Sequence, residues 1–174
     1  MNNFDILYSP TVIEFVTLAG EYCGFIEKTS ELSQDEIIQR AQKILPLLYF
    51  KTAVLPKMEK ETEGSPQEFV SELDYNYILT NLSEKLDTKD VFIDILEPVR
   101  LESSEAVSLS MSESFTDIYQ DLKNFVSNFQ TGAEEIMADS LWECKYTFET
   151  FWGPRLIALL NEVHNIIYSE DDEI

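Results

Sequence analysis

The sequence has little of what most metal and catalytic sites are built from. It contains two cysteines, one histidine and five glycines in 174 residues. The cysteines, Cys23 and Cys144, are far apart, and with the single His164 they cannot make a usual zinc site. Neither a glycine-rich phosphate loop nor a Gly-x-Ser-x-Gly turn occurs. The sequence therefore predicts no catalytic residue, no metal ligand and no cofactor, and His164 is interpreted as a surface or half-buried side chain.

Basic residues are also scarce. The chain has 12 Lys and Arg against 33 Asp and Glu, which gives a formal net charge of −21. A field of that sign repels phosphate backbones and anionic lipid headgroups. We therefore expect no binding to nucleic acid or to a membrane surface. An acidic surface that serves solubility, or that meets a cationic partner, fits this composition better.

Long apolar runs are missing as well. The longest, such as residues 47–50, are only a few residues, far short of a bilayer span. Residues 1–5 do not resemble the basic and apolar start of a signal peptide. These features predict a cytoplasmic protein. In that compartment Cys23 and Cys144 are expected to be buried, reduced thiols rather than a disulfide.

What the sequence does contain is helical periodicity. Apolar residues recur every three or four positions in segments bounded by caps and breakers. The pattern predicts an all-α fold, a single-domain helical bundle of five to six helices over residues 1–168, followed by an acidic tail at 169–174. Ser9 and Pro10 suit the start of the first helix, and residues 33–36 form a capping box for the second.

The centre of the core is expected in the second helix. Past Pro46, residues 47–55 are apolar on nearly every side, which is typical of a helix covered all round. A third helix, from about Glu72 to Leu86, is expected to bury the following apolar residues: Leu73, Tyr77, Ile78 and Leu82. Residues 87–111 are interpreted as one long irregular connection, with a small hairpin as the alternative.

Three stretches carry a family resemblance. They are Leu-Pro-Leu-Leu-Tyr-Phe-Lys at 45–51 with Leu-Pro at 55–56, Asp-Ile-Tyr-Gln-Asp-Leu-Lys at 117–123, and Leu-Trp-Glu-Cys-Lys at 141–145 with Phe-Trp-Gly at 151–153. Together they resemble a family of bacterial helical domains, the domain of unknown function DUF5063. The resemblance covers the chain from about the first helix to the last. It implies an all-α fold in a bacterial cytoplasm, and it brings no catalytic residues with it.

Carboxylates are the only abundant chemical resource. Asp117 and Asp121 stand four residues apart on a helix, and Glu135, Asp139 and Glu143 form one row on the next. Such pairs, if inward-facing, could place Mg²⁺ or Mn²⁺ in a hydrolase of small phosphorylated molecules. On a helical wheel, however, Asp117 and Asp121 lie away from the apolar stripe. Glu135 and Asp139 do the same and Glu143 lies at its margin, so these acids are expected to face water.

Two aromatic residues stand apart from the core pattern. The fifth helix is expected to bury the stripe Ile136, Met137, Leu141, Cys144, Phe148 and Phe151. Trp142 and Tyr146 lie on the opposite side, four residues apart. Aromatic residues dominate interface hot spots, so the pair is a candidate binding patch, with burial inside the bundle as the alternative.

These patterns favour a non-enzymatic, cytoplasmic protein-interaction module with an acidic surface and a protein partner. The metal-dependent hydrolase is the alternative, and a DNA mimic is a third hypothesis. The sequence leaves the oligomeric state open.

Overall fold

Most of the chain is helical in the computed structural model, which describes residues 3–94 and 107–169. The helices are α1 (Asn3–Leu7), α2 (Pro10–Glu27), α3 (Gln34–Ala53), α4 (Glu72–Leu86), α5 (Met111–Phe129), α6 (Glu134–Thr147) and α7 (Gly153–Tyr168). Short 3-10 turns lie at Thr29–Glu31 and Asp87–Lys89. The two strands that the described residues contain are β1 (Val91–Asp94) and β2 (Val107–Ser110), so the fold is all-α as predicted. The expected acidic tail lies outside the described residues except for Ser169.

Side-chain caps fix where the helices begin. Ser9 accepts a hydrogen bond from the amide of Val12 at the start of α2, and Pro10 takes the first helical position. The capping box of Ser33 with Glu36 is present at the start of α3. Both sequence predictions are confirmed. Such caps can be predicted from the sequence because they depend only on residues about three positions apart.

The hairpin alternative is correct for the part of residues 87–111 that the structure describes. β1 and β2 pair antiparallel, with Val91 opposite Ser110. Asp90 is buried just before β1 and accepts hydrogen bonds from the amide of Ser112 at 2.7 Å and from its hydroxyl at 2.8 Å. This carboxylate fastens the base of the hairpin to the start of α5. The rest of the predicted irregular connection, residues 95–106, lies outside the described residues.

The core is organised around α5. This helix packs against α2, α4, α6 and α7, and the apolar stripe that its sequence shows is buried. The ring of Phe125 stacks on that of Phe15 in α2 at 5.2 Å. The hydroxyl of Tyr22 donates to the carbonyl of Phe115 at 2.9 Å, so even the polar end of this fully buried side chain has a partner.

The prediction that α3 is covered all round is wrong. Leu45, Leu48 and Thr52 are buried, but three residues on the outward side of the same helix are exposed: Leu47 (46 %), Phe50 (57 %) and Val54 (46 %). The helix packs on α2 and α7 with one side only. The other apolar side stays about half exposed to solvent.

Two further burial predictions are wrong for a related reason. In α4, Leu73 and Tyr77 are exposed, and only the second half of the expected stripe, Ile78 and Leu82, is buried. In the α6 region Ile136 is exposed, as is the stripe's last residue, Phe151. Leu73 and Tyr77 lie about 100° or more around α4 from Ile78 and Leu82, which face the core. Ile136 lies at the edge of the buried side of α6, and Phe151 belongs to the π-helical turn after α6, which changes the helical register.

A π-helical turn at Phe148–Trp152 joins α6 to α7. A β-carbon at Gly153 would lie 2.3 Å from the carbonyl oxygen of Phe148, so only glycine fits where the backbone passes this carbonyl. Trp152 is fully buried and its indole N–H donates to the carbonyl of Cys144 at 3.2 Å. Gly153 and Pro154 are the first two residues of α7, which follows this turn without a break.

Candidate functional site

Trp142 and Tyr146 form a stacked pair on α6. Their ring centroids are 5.3 Å apart and the rings are parallel to within 5°. Tyr146 is 52 % exposed and Trp142 is partly buried, so the face that the sequence singled out is open to solvent at its Tyr146 end. Stacking holds both rings in one orientation, which lowers the entropy cost of using them in binding.

These rings form one wall of a groove of about 210 Å³. The groove is lined by Leu55, Pro56, Lys57 and Met58 from the segment after α3, and by Leu141, Trp142, Lys145, Tyr146 and Glu149 from α6 and the turn that follows. Most of this lining is apolar. An apolar groove with a few polar side chains at its edge is the usual form of a binding site for a side chain or a small ligand.

Lys145 ties the two walls of the groove together. Its ammonium donates to the carbonyl of Thr52 at 2.9 Å and to that of Ala53 at 3.3 Å, which satisfies carbonyls at the end of α3. Burial lowers the pKa of Lys145. On the other side, the ammonium of Lys60 lies 5.3 Å from the centre of the Trp142 ring, within the range of a cation–π contact.

Asp139 holds the loop of residues 57–71 against α6. The expectation that Asp139 faces water is wrong, since the residue is only 4 % exposed. Its carboxylate accepts hydrogen bonds from the amide of Glu61 at 2.6 Å, from the amide of Thr62 at 3.1 Å and from the hydroxyl of Thr62. The loop therefore covers a helix side that the sequence pattern assigns to solvent.

Asp117 is also not on an open acidic face. Arg155 of α7 approaches one of its oxygens at 3.2 Å, and the hydroxyl of Tyr75 in α4 donates to the other at 2.7 Å. Its side chain is largely buried. Asp117 therefore links α5 to two other helices. Of the acids expected in water, Glu135 is exposed as predicted.

A second, polar cavity of about 250 Å³ lies between α5, α6 and the loop. It is lined by two carboxylates, Asp121 and Glu143, and by Ser65, Pro66, Gln67, Glu68, Gln120, Asn124, Phe125, Asn128, Ser140 and Cys144. The Oε2 atom of Glu143 is buried and has no hydrogen-bond partner among the described residues. The expectation that Asp121 faces water is wrong as well, since this residue lies in the cavity.

Burial is the main cause that raises the pKa of Asp121 from 3.8 to about 6. The charges of Asp117 and Glu143 act in the same direction, and a hydrogen bond with Thr147 acts against them. Asp121 therefore holds a proton to higher pH than a free carboxyl group does, and the carboxylates that line the cavity could accept a cation or a hydrogen-bond donor. Within residues 3–94 and 107–169, no group of three or more His, Cys, Asp or Glu side chains is placed to hold a metal ion.

Asp121→Asn is expected to flatten the pH dependence of stability. The folded state, with its pKa of about 6, binds more protons than the unfolded state, with a pKa near 3.8, so the contribution of Asp121 is present below about pH 4 and is lost as the pH rises through about 6. The asparagine should therefore raise the free energy of unfolding at neutral pH by on the order of 2 kcal/mol. Urea denaturation at about pH 4 and pH 7 measures both effects. Glu135→Gln, on the exposed face, is the control; a wild-type pH slope in the Asp121→Asn protein would contradict the assignment.

Among the residues that the structure describes, the two cysteines and His164 do not form a further site. Cys23 and Cys144 are free and buried, as predicted, and burial raises the pKa of Cys23 to about 12 and that of Cys144 well above its usual value. Such thiols are poor nucleophiles. His164 is exposed and its ring lies 4.8 Å from that of Tyr168.

The fold and these features define a class: an all-α helical domain with a groove between α6 and the segment after α3, and a polar, carboxylate-lined cavity between α5 and α6. We call the groove beside Trp142 and Tyr146 the aromatic groove. None of the helices in the described residues is long and apolar enough to cross a membrane. The model of the family DUF5063, a domain of unknown function, matches residues 6–169. The chain belongs to this family, as its sequence motifs indicated.

A solved structure supports the same assignment. Protein BF1032 from Bacteroides fragilis shares 36 % sequence identity with this chain, and its crystal structure superimposes on it with a TM-score of 0.86. The match covers 97 % of this chain and 99 % of that protein. A comparison with curated proteins found no match.

Proposed function

We propose that this chain is a non-enzymatic protein-interaction module of the bacterial cytoplasm, with an acidic surface, and that a protein partner docks in the groove beside Trp142 and Tyr146. The observation that carries the proposal is the stacked pair, which keeps a tyrosine half exposed at the edge of an apolar groove. The cytoplasmic setting is supported by Cys23 and Cys144, which are buried and form no disulfide.

The groove has the composition of an interface hot spot. Trp and Tyr are enriched at hot spots because each ring contributes a large apolar area with few rotatable bonds. Leu55, Pro56 and Met58 supply the opposite wall, so an inserted side chain would be desolvated on two sides.

Tyr146→Ser is expected to weaken partner binding with little loss of stability. The change removes the exposed ring that borders the groove, and substitutions at such exposed positions change the free energy of unfolding by less than about 1 kcal/mol. The measurement is quantitative recovery of the partner on immobilised protein, alongside urea denaturation of each variant. Tyr77→Ser removes another exposed tyrosine, on α4, and serves as the matched control. Equal recovery by the Tyr146→Ser and Tyr77→Ser proteins would reject the proposal.

A second candidate function, a Mg²⁺- or Mn²⁺-dependent hydrolase of small phosphorylated molecules, is favoured by one observation. Asp121 and Glu143 line the same polar cavity from facing helices, and Glu143 has an unpartnered buried oxygen there. Mg²⁺ is commonly held by one or two carboxylates, with water and substrate phosphates completing its shell.

Metal binding to the folded chain would raise its melting temperature, since a ligand of the native state stabilises it. We would expect Mg²⁺ or Mn²⁺ to shift the melting of the wild type and of Glu135→Gln, but not that of Asp121→Asn or Glu143→Gln. The same shift in all four proteins would place the bound metal outside this cavity.

A further inference from the structure

Basic charge is concentrated in one segment of this acidic chain. Residues 37–58 contain four basic residues and no Asp or Glu: Arg40, Lys43, Lys51 and Lys57. The rest of the chain therefore has eight basic and 33 acidic residues. This segment comprises most of α3 and the beginning of the loop that lines the aromatic groove.

The outward side of α3 combines this charge with apolar surface. Arg40, Lys43, Leu47, Phe50 and Val54 follow one another at intervals of three and four residues, so they share one helical face, and all five are exposed. We call these five residues the α3 stripe. The opposite side of α3 is buried against α2 and α7. Three large exposed apolar side chains on one helix face are the kind of patch that marks an interaction site.

The charges of the α3 stripe face solvent, and Arg40 acts on the carboxylate of Glu36, one turn earlier on the same helix. Lys51, at the margin, is paired with Glu14 of α2. Arg40 and Lys43 form no ion pair with any residue that the structure describes. The stripe ends at Val54, next to Leu55, Pro56 and Lys57 of the aromatic groove, so a partner that lies along α3 would reach the groove.

We propose that the α3 stripe docks an acidic amphipathic helix of a protein partner. The apolar side chains of that helix would pack on Leu47, Phe50 and Val54, and its carboxylates would lie beside Arg40 and Lys43. Val54 lies fourteen positions after Arg40, which is about 21 Å of helix, so a partner helix of about four turns matches the stripe. This deepens the proposed function, on which it rests, by naming the partner's chemistry.

Charge complementarity decides between the occupants that an apolar stripe could have. A nucleic acid or an anionic membrane would extend over the neighbouring acidic surface, where a net charge of −21 repels it. A second copy of the chain carries the same net charge. A single helix is narrow enough to stay on the stripe, and at physiological salt the Debye length of about 8 Å screens it from acids on other faces.

The test uses two synthetic 18-residue helical peptides with leucines at three- and four-residue spacing. One carries Glu beside the leucines and the other carries Lys at the same positions. Fluorescence anisotropy at physiological salt should show the Glu peptide binding to wild type at least about tenfold more tightly than the Lys peptide. The double variant Arg40→Glu, Lys43→Glu should reverse that preference. Phe50→Ser should weaken binding of the Glu peptide by about 30-fold, the usual loss at a hot spot.

Controls keep the test specific to the stripe. Lys28→Glu changes an exposed lysine beyond α2, and Tyr77→Ser removes an exposed ring on α4; both should bind like wild type. Equal affinity for the two peptides, or binding that Phe50→Ser does not change, would overturn the inference. So would sedimentation showing a dimer that Phe50→Ser dissociates, or pelleting of the wild type with anionic vesicles. Native-partner recovery that falls with Tyr146→Ser but not with Phe50→Ser would reject the stripe alone and leave the aromatic groove as the docking site.

Discussion

Leu48→Ala is expected to lower the free energy of unfolding by about 2–5 kcal/mol, whereas Leu47→Ala should change it by less than about 1 kcal/mol. The two leucines are neighbours in α3 and lose the same atoms. Leu48 is fully buried, so alanine leaves a cavity among its neighbours, while Leu47 lies on the α3 stripe in contact with solvent. Urea denaturation of the two variants measures the difference directly.

The comparison also tests the structure against the sequence pattern. If α3 were covered on all sides, as its apolar run from 47 to 55 suggests, each alanine substitution would lower the free energy of unfolding by several kcal/mol. Equal losses would therefore contradict the arrangement described here and remove the basis for a docking surface on α3. A stability change confined to Leu48→Ala leaves the outward side free for a partner.

Local features of the fold could be predicted from the sequence because they depend on residues close together in the chain. The caps at Ser9 and Ser33 and the left-handed Gly132 after α5 are such cases. The apolar stripe of α5 was also predictable, since this helix has one apolar side and that side is buried. For α3 the sequence shows two apolar sides, and nothing local distinguishes the side that packs on α2 and α7 from the side that stays open.

The candidate site was predictable only in part. The spacing of Trp142 and Tyr146 correctly placed them together, away from the Leu141 and Cys144 side of α6. The groove itself was not predictable, because its second wall comes from a loop about 85 residues earlier in the chain. The predicted exposure of the acids was wrong for the same reason. The partners of Asp139 and Asp117 come from distant segments, which a helical wheel does not include.

The aromatic groove and the α3 stripe share a structural basis. Lys145 of α6 hydrogen-bonds the last carbonyls of α3, so the end of the stripe and the wall bearing Trp142 are held in a fixed relation. The remaining wall depends on the loop that follows Leu55, and that loop is fastened by Asp139. This buried carboxylate therefore supports the groove together with the core packing of Leu55 and Met58.

Asp139→Ala is expected to lower the free energy of unfolding by about 2–4 kcal/mol and to release the loop from α6. Hydrogen bonds to a charged acceptor contribute about 1.5–3 kcal/mol each, and the variant loses those from the amides of Glu61 and Thr62 and from the Thr62 hydroxyl. Part of this loss is recovered because the freed amides bind water. The contact between Lys60 and Trp142 should weaken as the loop moves away.

Limited trypsin digestion reports on the loop separately from global unfolding. Lys57 and Lys60 lie on the segment that Asp139 fastens, so cleavage after them should be faster in Asp139→Ala than in wild type under native conditions. Asp139→Asn keeps one acceptor oxygen and should give an intermediate rate, and Glu135→Ala, on the exposed side of the same helix, should leave the rate unchanged. Wild-type cleavage in the Asp139→Ala protein would show that the loop is held without this carboxylate. If the rate rises and Tyr146-dependent partner recovery falls with it, the loop is part of the binding site and not only a covering of α6.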